Sequence, residues 1–243
     1  MEMYVCQNTN IGLMRDENQD DLAWFTLSSG ELFILADGMG GEAGGRFAAK
    51  MAIATIKSCY ESQQNRDIVT LMEYSIKKAN QKIYEIGSSD DLRYHNMGTT
   101  IAILFISKEK AYIAHVGDSR IYLYRDNNLK LLTKDQTLVQ SMIDKGKLTP
   151  DEARVHPKSH VLLQSVGANS DIVPDIKKNF IKINSGDLFF MCSDGLHGVL
   201  DDSLIIDIIN KNEKLNDICN ELVTEALNHK SQDNVTVQVI CFI

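Results

Sequence analysis

Apolar residues recur along this chain with two different periods. Short apolar runs at 21–27, 31–36, 99–106, 110–116, 120–125, 187–192 and 235–243 read as strands. In the last, Val235, Val237 and Val239 alternate with Thr236 and Gln238, which predicts a half-buried antiparallel strand. Helical spacing is clearest where Leu215, Ile218, Cys219, Leu222, Val223, Ala226 and Leu227 recur at i, i+3, i+4 and i+7 up to Asn228. Ile68, Leu71, Met72, Ile76, Ala79 and Ile83 repeat that spacing within 66–86, and further helices are expected at about 42–61 and 202–211. Strands come in runs and helices in pairs, so the pattern predicts an α+β sandwich of antiparallel sheets covered by helix pairs. Residues 136–170 are less regular. A short helix from Thr137 to Lys145 and another opened by Thr149-Pro150-Asp151-Glu152 mark a surface insertion.

No repeat, low-complexity tract or Pro/Ser-rich linker divides the sequence, so one domain spanning 1–243 is expected. A formal charge of −8 with no Lys/Arg-rich run argues against a nucleic-acid or anionic-membrane surface. Met1-Glu2-Met3-Tyr4 opens no signal peptide, and nowhere do 18 apolar residues run together, so a cytoplasmic location is expected. Cys6, Cys59, Cys192, Cys219 and Cys241 are odd in number and widely spaced in apolar surroundings. They are read as thiols rather than as a disulfide framework or zinc site.

The acidic excess is lopsided: 21 Asp stand against 12 Glu. Several Asp share one position, directly after an apolar strand and beside a small residue. Phe33-Ile34-Leu35-Ala36 leads to Asp37-Gly38, and Ile113-Ala114-His115-Val116-Gly117 leads to Asp118-Ser119. Phe189-Phe190-Met191-Cys192-Ser193 leads to Asp194-Gly195, and Asp233-Asn234 stands immediately before the final strand. Any one of these is an ordinary turn dipeptide. Together they supply short oxygen ligands on a rigid scaffold, the donor set of magnesium or manganese. Gly38-Met39-Gly40-Gly41-Glu42-Ala43 also fits a dinucleotide-binding G-x-G-x-x-A turn. Asp37 would face the pyrophosphate with like charge, however, and a second helix follows where that fold needs a strand.

The ordered set Arg15-Asp16-Glu17-Asn18-Gln19-Asp20, Asp37-Gly38-Met39-Gly40-Gly41, Met97-Gly98-Thr99-Thr100, Gly117-Asp118-Ser119-Arg120, Cys192-Ser193-Asp194-Gly195-Leu196 and Asp233-Asn234-Val235-Thr236 resembles the metal-dependent serine/threonine protein phosphatases of the 2C type, in their compact bacterial form. The resemblance implies a four-layer αββα sandwich with its metal site at the edge of the two sheets. It implies two divalent cations, manganese or magnesium: one on Asp37, Asp194 and Asp233, the other bridged by Asp37 and taking the Gly38 carbonyl. Asp118 with Asp194 would make a third, weaker site. Arg15 matches the substrate-phosphate arginine, Asp20 and Gln19 reach the metals through water or hydrogen bonds, and Asn234 stands beside them. Insertion 136–170 matches the variable flap. The implied reaction is hydrolysis of phosphoserine and phosphothreonine monoesters by direct attack of a metal-bridging hydroxide. Phosphorylated proteins, a Ser/Thr kinase and its targets are the implied partners of a monomeric enzyme.

The chain departs from relatives at Gln19, where some have Glu, and at Met39, where many eukaryotic members have a proposed proton-donating His. A thioether cannot donate a proton, so His197, close to Asp194, is the histidine to test in that role. His115 is expected to pack, and Pro157 disfavours a helix placing His156 and His160 as a metal pair. A non-catalytic phosphoprotein-binding module and a hydrolase of small phosphate esters are the alternative readings of the same residues.

Overall fold

A computed structural model describes residues 1–41, 43–63 and 66–243. Glu42, where the first helix is expected to begin and the fifth position of the glycine-rich turn, lies outside the described residues, as do Gln64 and Asn65. The elements in chain order are β1 (Met3–Asn10), β2 (Asp20–Leu27), β3 (Gly30–Met39), α1 (Gly44–Ser62), α2 (Ile68–Gly87), β4 (Gly98–Thr99), β5 (Ile101–Ser107), β6 (Lys110–Val116), β7 (Arg120–Arg125) and β8 (Asn128–Leu131). They continue with α3 (Leu138–Asp144), α4 (Pro150–Arg154), β9 (Asp175–Ile176), β10 (Ile181–Lys182), β11 (Leu188–Cys192), α5 (Asp194–His197), α6 (Asp202–Lys211), α7 (Leu215–Asn228) and β12 (Val235–Phe242).

Two antiparallel sheets result, one ordered β1-β12-β11-β7-β8 and the other β10-β6-β5-β3-β2, with β4 and β9 pairing β3 and β6. The continuous apolar runs follow from burial on both faces. Leu32, Ile34 and Ala36 of β3 join Ile101, Ile103 and Phe105 of β5 under α1 and α2, in a core with Ile56, Met72 and Ile83. The intervening Phe33, Leu35, Ala102 and Leu104 face the other sheet, against Ile121, Phe189, Met191 and Ile240. Phe190, Cys192, Val235 and Val237 turn outward to α6 and α7, meeting Ile205, Leu222 and Val223. Three apolar layers thus separate four layers of elements, the αββα sandwich the resemblance implies. The helix ends follow their side chains: Asp67 caps α2, Asp201 caps α6, and Thr149 with Glu152 forms a capping box on α4.

Three features differ from the pattern-based expectation. The polar residues of β12 do not face water, because β12 lies between β1 and β11. Thr236 and Gln238 are fully buried on its inter-sheet side. Strand β1 is not among the expected strands: its short apolar stretch Met3-Tyr4-Val5-Cys6 gives way to Gln7-Asn8-Thr9-Asn10, yet it binds all along β12, from Met3 opposite Phe242 to Asn10 opposite Val235. That pairing sets β1 beneath α7, where Cys6 and Cys219 form a disulfide with Cα atoms 6.4 Å apart. The thiol reading is therefore corrected at these two positions, which sequence spacing over 213 residues does not connect. Cys59 and Cys192 remain buried thiols. Among the described residues, no helix is long and apolar enough to cross a membrane.

Candidate active site

Both sheets deliver carboxylates to one edge. β3 runs on past its apolar centre to Asp37, which stands opposite Asp20 of β2. After β6, Gly117-Asp118-Ser119 carries the chain from one sheet into the other. Asp194 opens the single turn α5 directly after β11, and Asp233 precedes β12, antiparallel to β11 and hence at the same edge. Asp37, Asp118, Asp194 and Asp233 all line one groove at this edge.

The frame around them is made of hydrogen bonds. The Asp37 amide donates to Thr100 Oγ1 at 2.9 Å and its carbonyl accepts from the Thr100 amide at 2.8 Å. Thr100 Oγ1 also meets Ser119 Oγ at 2.6 Å, joining the segments that carry Asp37 and Asp118. Ser193 Oγ donates to Asp20 Oδ2 at 2.7 Å. Sequence reading does not single out Thr100 or Ser193; their signal is that both lie inside the motifs carrying the resemblance. Gly38 is pressed so closely that a Cβ would stand 2.3 Å from the Gly45 carbonyl oxygen and 2.6 Å from that of Gln19. Asn234 Oδ1 accepts from the Gln19 amide at 2.8 Å, and its Nδ2 donates to the carbonyls of Ile11 and Glu17. Gln19 Nε2 donates to the Gly41 carbonyl at 2.9 Å. Gln19 and Asn234 thus fold the Arg15 loop against the edge.

Arg15 lies across Asp233, with Nε to Oδ1 at 2.9 Å and Nη2 to Oδ2 at 2.6 Å. This fork–fork pairing raises the guanidinium pKa. The remaining carboxylates crowd one another. Burial, then the neighbouring Asp20 and Asp194, push Asp37 well above the carboxylate range. Burial, then Asp194, does the same to Asp118. Burial and the Asp233 charge raise Asp194 to about 6, and burial raises Asp20 to about 7.

The donor set fits divalent metal ions. Asp194 Oδ1 and Asp20 Oδ1 are buried oxygens with no hydrogen-bond partner, and the charges of Arg15 near Asp194 and of Arg120 near Asp118 offset the mutual repulsion only in part. Hard carboxylate oxygens suit magnesium or manganese. As the side chains stand, no three or more His, Cys, Asp or Glu form a ready metal cage among the described residues. Both oxygens of Asp233 are turned to Arg15, and one of Asp20 to Ser193.

The histidines separate clearly. His197 is buried with Nε2 3.0 Å from the Asp118 carbonyl oxygen, and burial followed by Arg120 lowers its pKa to about 3. It holds no second proton at neutral pH, so its candidacy as general acid is withdrawn; it is a packed residue that spans two acidic segments. His115 packs as expected, with Nε2 2.8 Å from the Lys134 carbonyl oxygen. His160 is exposed and lines a groove of about 840 Å³ whose wall includes Arg15, Asp37, Gly38, Met39 and Asp194.

An αββα sandwich with hard oxygen donors gathered between its sheets at one edge, and an arginine fork beside them, defines a metal-dependent phosphatase. Comparison with known proteins gives the family. The model of the protein phosphatase 2C family matches residues 15–236. Protein phosphatase PhpP of Streptococcus pneumoniae is 36% identical over 236 residues, covering 96% of this chain and 94% of its own length. The solved Streptococcus agalactiae serine/threonine phosphatase superposes with a TM-score of 0.93 at 35% identity, covering 100% of both chains. The catalytic domain of the serine/threonine protein phosphatase PstP, solved with two manganese ions, superposes at 0.85 and 28% identity over 98% of this chain and 97% of its own. The chain belongs to the protein phosphatase 2C family and is a serine/threonine protein phosphatase.

Proposed function

We propose that the chain is one catalytic domain with a flap at about 136–170, and that it hydrolyses phosphoserine and phosphothreonine monoesters of proteins at the acidic edge. The observation supporting this most directly is the convergence of Asp37, Asp118, Asp194 and Asp233 on one edge with a buried, unpartnered oxygen on Asp194. Asp37, Asp194, Asp233 and the Gly38 carbonyl would hold two divalent cations, and Asp118 with Asp194 a weaker third. When bound, these ions supply Lewis acidity toward water and the phosphoryl oxygens. Thr100 and Ser119 keep the carboxylates in place, and Asp20 orders the water around them. Arg15, beside Asp233 at the mouth of the groove, supplies a planar fork for two phosphate oxygens. The leaving serine or threonine oxygen takes its proton from water, since Met39 has no acidic proton and the ring nitrogen of His197 that carries one is turned to the Asp118 carbonyl.

Phosphate competes with Asp233 for the same fork, so Arg15→Ala should act mainly on binding. Steady-state kinetics on a phosphothreonine peptide should show kcat/KM reduced about 10- to 100-fold, with KM carrying most of the change. An unchanged KM would remove Arg15 from substrate recognition. Turnover of that peptide by the unaltered chain tests the function itself; turnover of small aryl phosphates alone would favour the small-ester reading.

The flap supports a role in choosing substrates. Its ends close on a neck where Leu138 N bonds the Val161 carbonyl and Leu163 N bonds the Gln136 carbonyl, both at 2.8 Å. A cavity of about 240 Å³ opens between α3, α4 and α5 beside the catalytic groove. It has Val139, Ile143, Pro150 and Ala153 on one wall and shares Asp118, Asp194 and His160 with the groove. Replacing 138–161 by a short linker should lower kcat/KM for a phosphoprotein several-fold more than for an aryl phosphate. Equal losses would end this reading of the flap.

A further inference from the structure

Gln136 lies at the neck of the flap, 18 residues along the chain from Asp118, and three of its polar atoms are engaged. Its side-chain Oε1 accepts from the Gly117 amide at 2.9 Å, and its own amide donates to the Gly117 carbonyl at 3.0 Å. Its carbonyl accepts from Leu163 N, the bond that closes the flap neck. Gly117 is thereby held on both of its peptide groups. It adopts φ +96°, and a Cβ there would lie 2.7 Å from the Thr100 methyl, so the turn before Asp118 has little room to settle elsewhere. On either side of this turn the same two strips of chain meet again. His115 Nε2 bonds the Lys134 carbonyl, and Arg120 forks onto Asp135 at 3.0 and 2.8 Å. Residues 134–136 therefore grip 115–120 at three successive contacts, and only the central one, from Gln136, also belongs to the flap neck.

We propose that Gln136 is a positioning residue for Asp118, through which the seat of the flap and cation binding at Asp118 are mechanically coupled. The inference rests on the reading of Asp118 as a ligand of the weakest cation. A loss of the Oε1 acceptor leaves the buried Gly117 amide unpartnered, so the one position the packed turn allows, with Asp118 on it, is held less strongly. Asp37 and Asp194 are held by other bonds, so the tighter cations are left in place.

Manganese titration followed by electron paramagnetic resonance, counting free aqueous ion, separates the outcomes. Gln136→Met, of similar length without an acceptor, should weaken the weakest manganese site about tenfold, as one lost buried hydrogen bond implies, and leave the tighter sites unchanged. Gln136→Glu restores the acceptor and should bind there at least as tightly as the unaltered chain, a rescue that a purely structural role would not produce. Asp118→Asn is the reference. If it weakens the same site while Gln136→Met does not, the positioning role is overturned. If Asp118→Asn leaves manganese binding unchanged, the ligand reading itself fails and the coupling falls with it. Should Gln136→Met not fold, Gln136→Asn, which draws the acceptor back by one methylene, is read by the same criteria.

Discussion

Removing divalent cations should reduce hydrolysis of a phosphothreonine peptide to background, and adding manganese or magnesium back should restore it. Charge makes the dependence steep. Asp37, Asp118, Asp194 and Asp233 present up to four negative charges at one edge, and Arg15 offsets one. Burial and crowding favour the protonated forms of Asp37, Asp118 and Asp194. Either way, the edge offers a phosphate dianion no net attraction, and the Arg15 fork is already occupied by Asp233. Two divalent cations reverse the sign of the local charge, and a ligand role for Asp233 competes with its hold on Arg15. Full activity in a thoroughly chelated sample would refute the metal reading. The chelated protein offers a second readout. Asp194 and Asp20 bind protons more tightly folded, near 6 and 7, than at the ordinary 3.8 of an unfolded chain. Their contribution to stability is therefore present at low pH and is lost as pH rises through 6 to 7. The melting temperature of the chelated protein should fall between pH 5 and pH 8, and bound manganese should cancel most of that fall.

What the sequence shows and what it hides follow from the range over which each signal acts. Periodicity located β2, β3, β5, β6, β7, β11 and β12 and the helices α1, α2, α6 and α7 because each has a face, or two, committed to a core. It passed over β1 and β8, edge strands whose residues are largely exposed or half-buried. It misread the polar half of β12, since alternation cannot tell water from a buried polar seam between two sheets. There Thr236 Oγ1 lies 2.7 Å from Thr9 Oγ1, and the Thr236 amide donates to Ser193. The acidic site was legible because its carboxylates sit where apolar runs stop, a local feature. The Arg15–Asp233 pairing, the buried setting of His197 and the Gln136–Gly117 contact join residues 218, 79 and 19 positions apart, and only the sheet order brings them together.

Asp194→Asn should cost about 10²- to 10³-fold in kcat on a phosphothreonine peptide, the scale of losing a group that holds developing charge in place. Asparagine matches the carboxylate in shape, occupies the same first position of α5, and leaves the Gly198 amide bonded to the residue 194 carbonyl, 2.8 Å in the present structure. The loss would therefore be electrostatic rather than a collapse of the turn. Stability distinguishes this from ordinary damage. In the cation-free protein Asp194 is half-buried beside Asp233 and Asp37, and its Oδ1 is buried and unpartnered. Removing that ionisable group relieves repulsion, so the chelated variant should melt at or above the temperature of the chelated unaltered chain at pH 8. Manganese, which raises the melting temperature of the unaltered chain by binding its folded state, should raise that of the variant far less. A catalytic ligand thus reverses its contribution to stability when the ion is present, whereas a residue serving only the fold would lower the melting temperature in both conditions. Calorimetry of the two proteins with and without manganese decides between them: a variant that melts lower in both states and keeps the full manganese shift would take Asp194 out of the metal site.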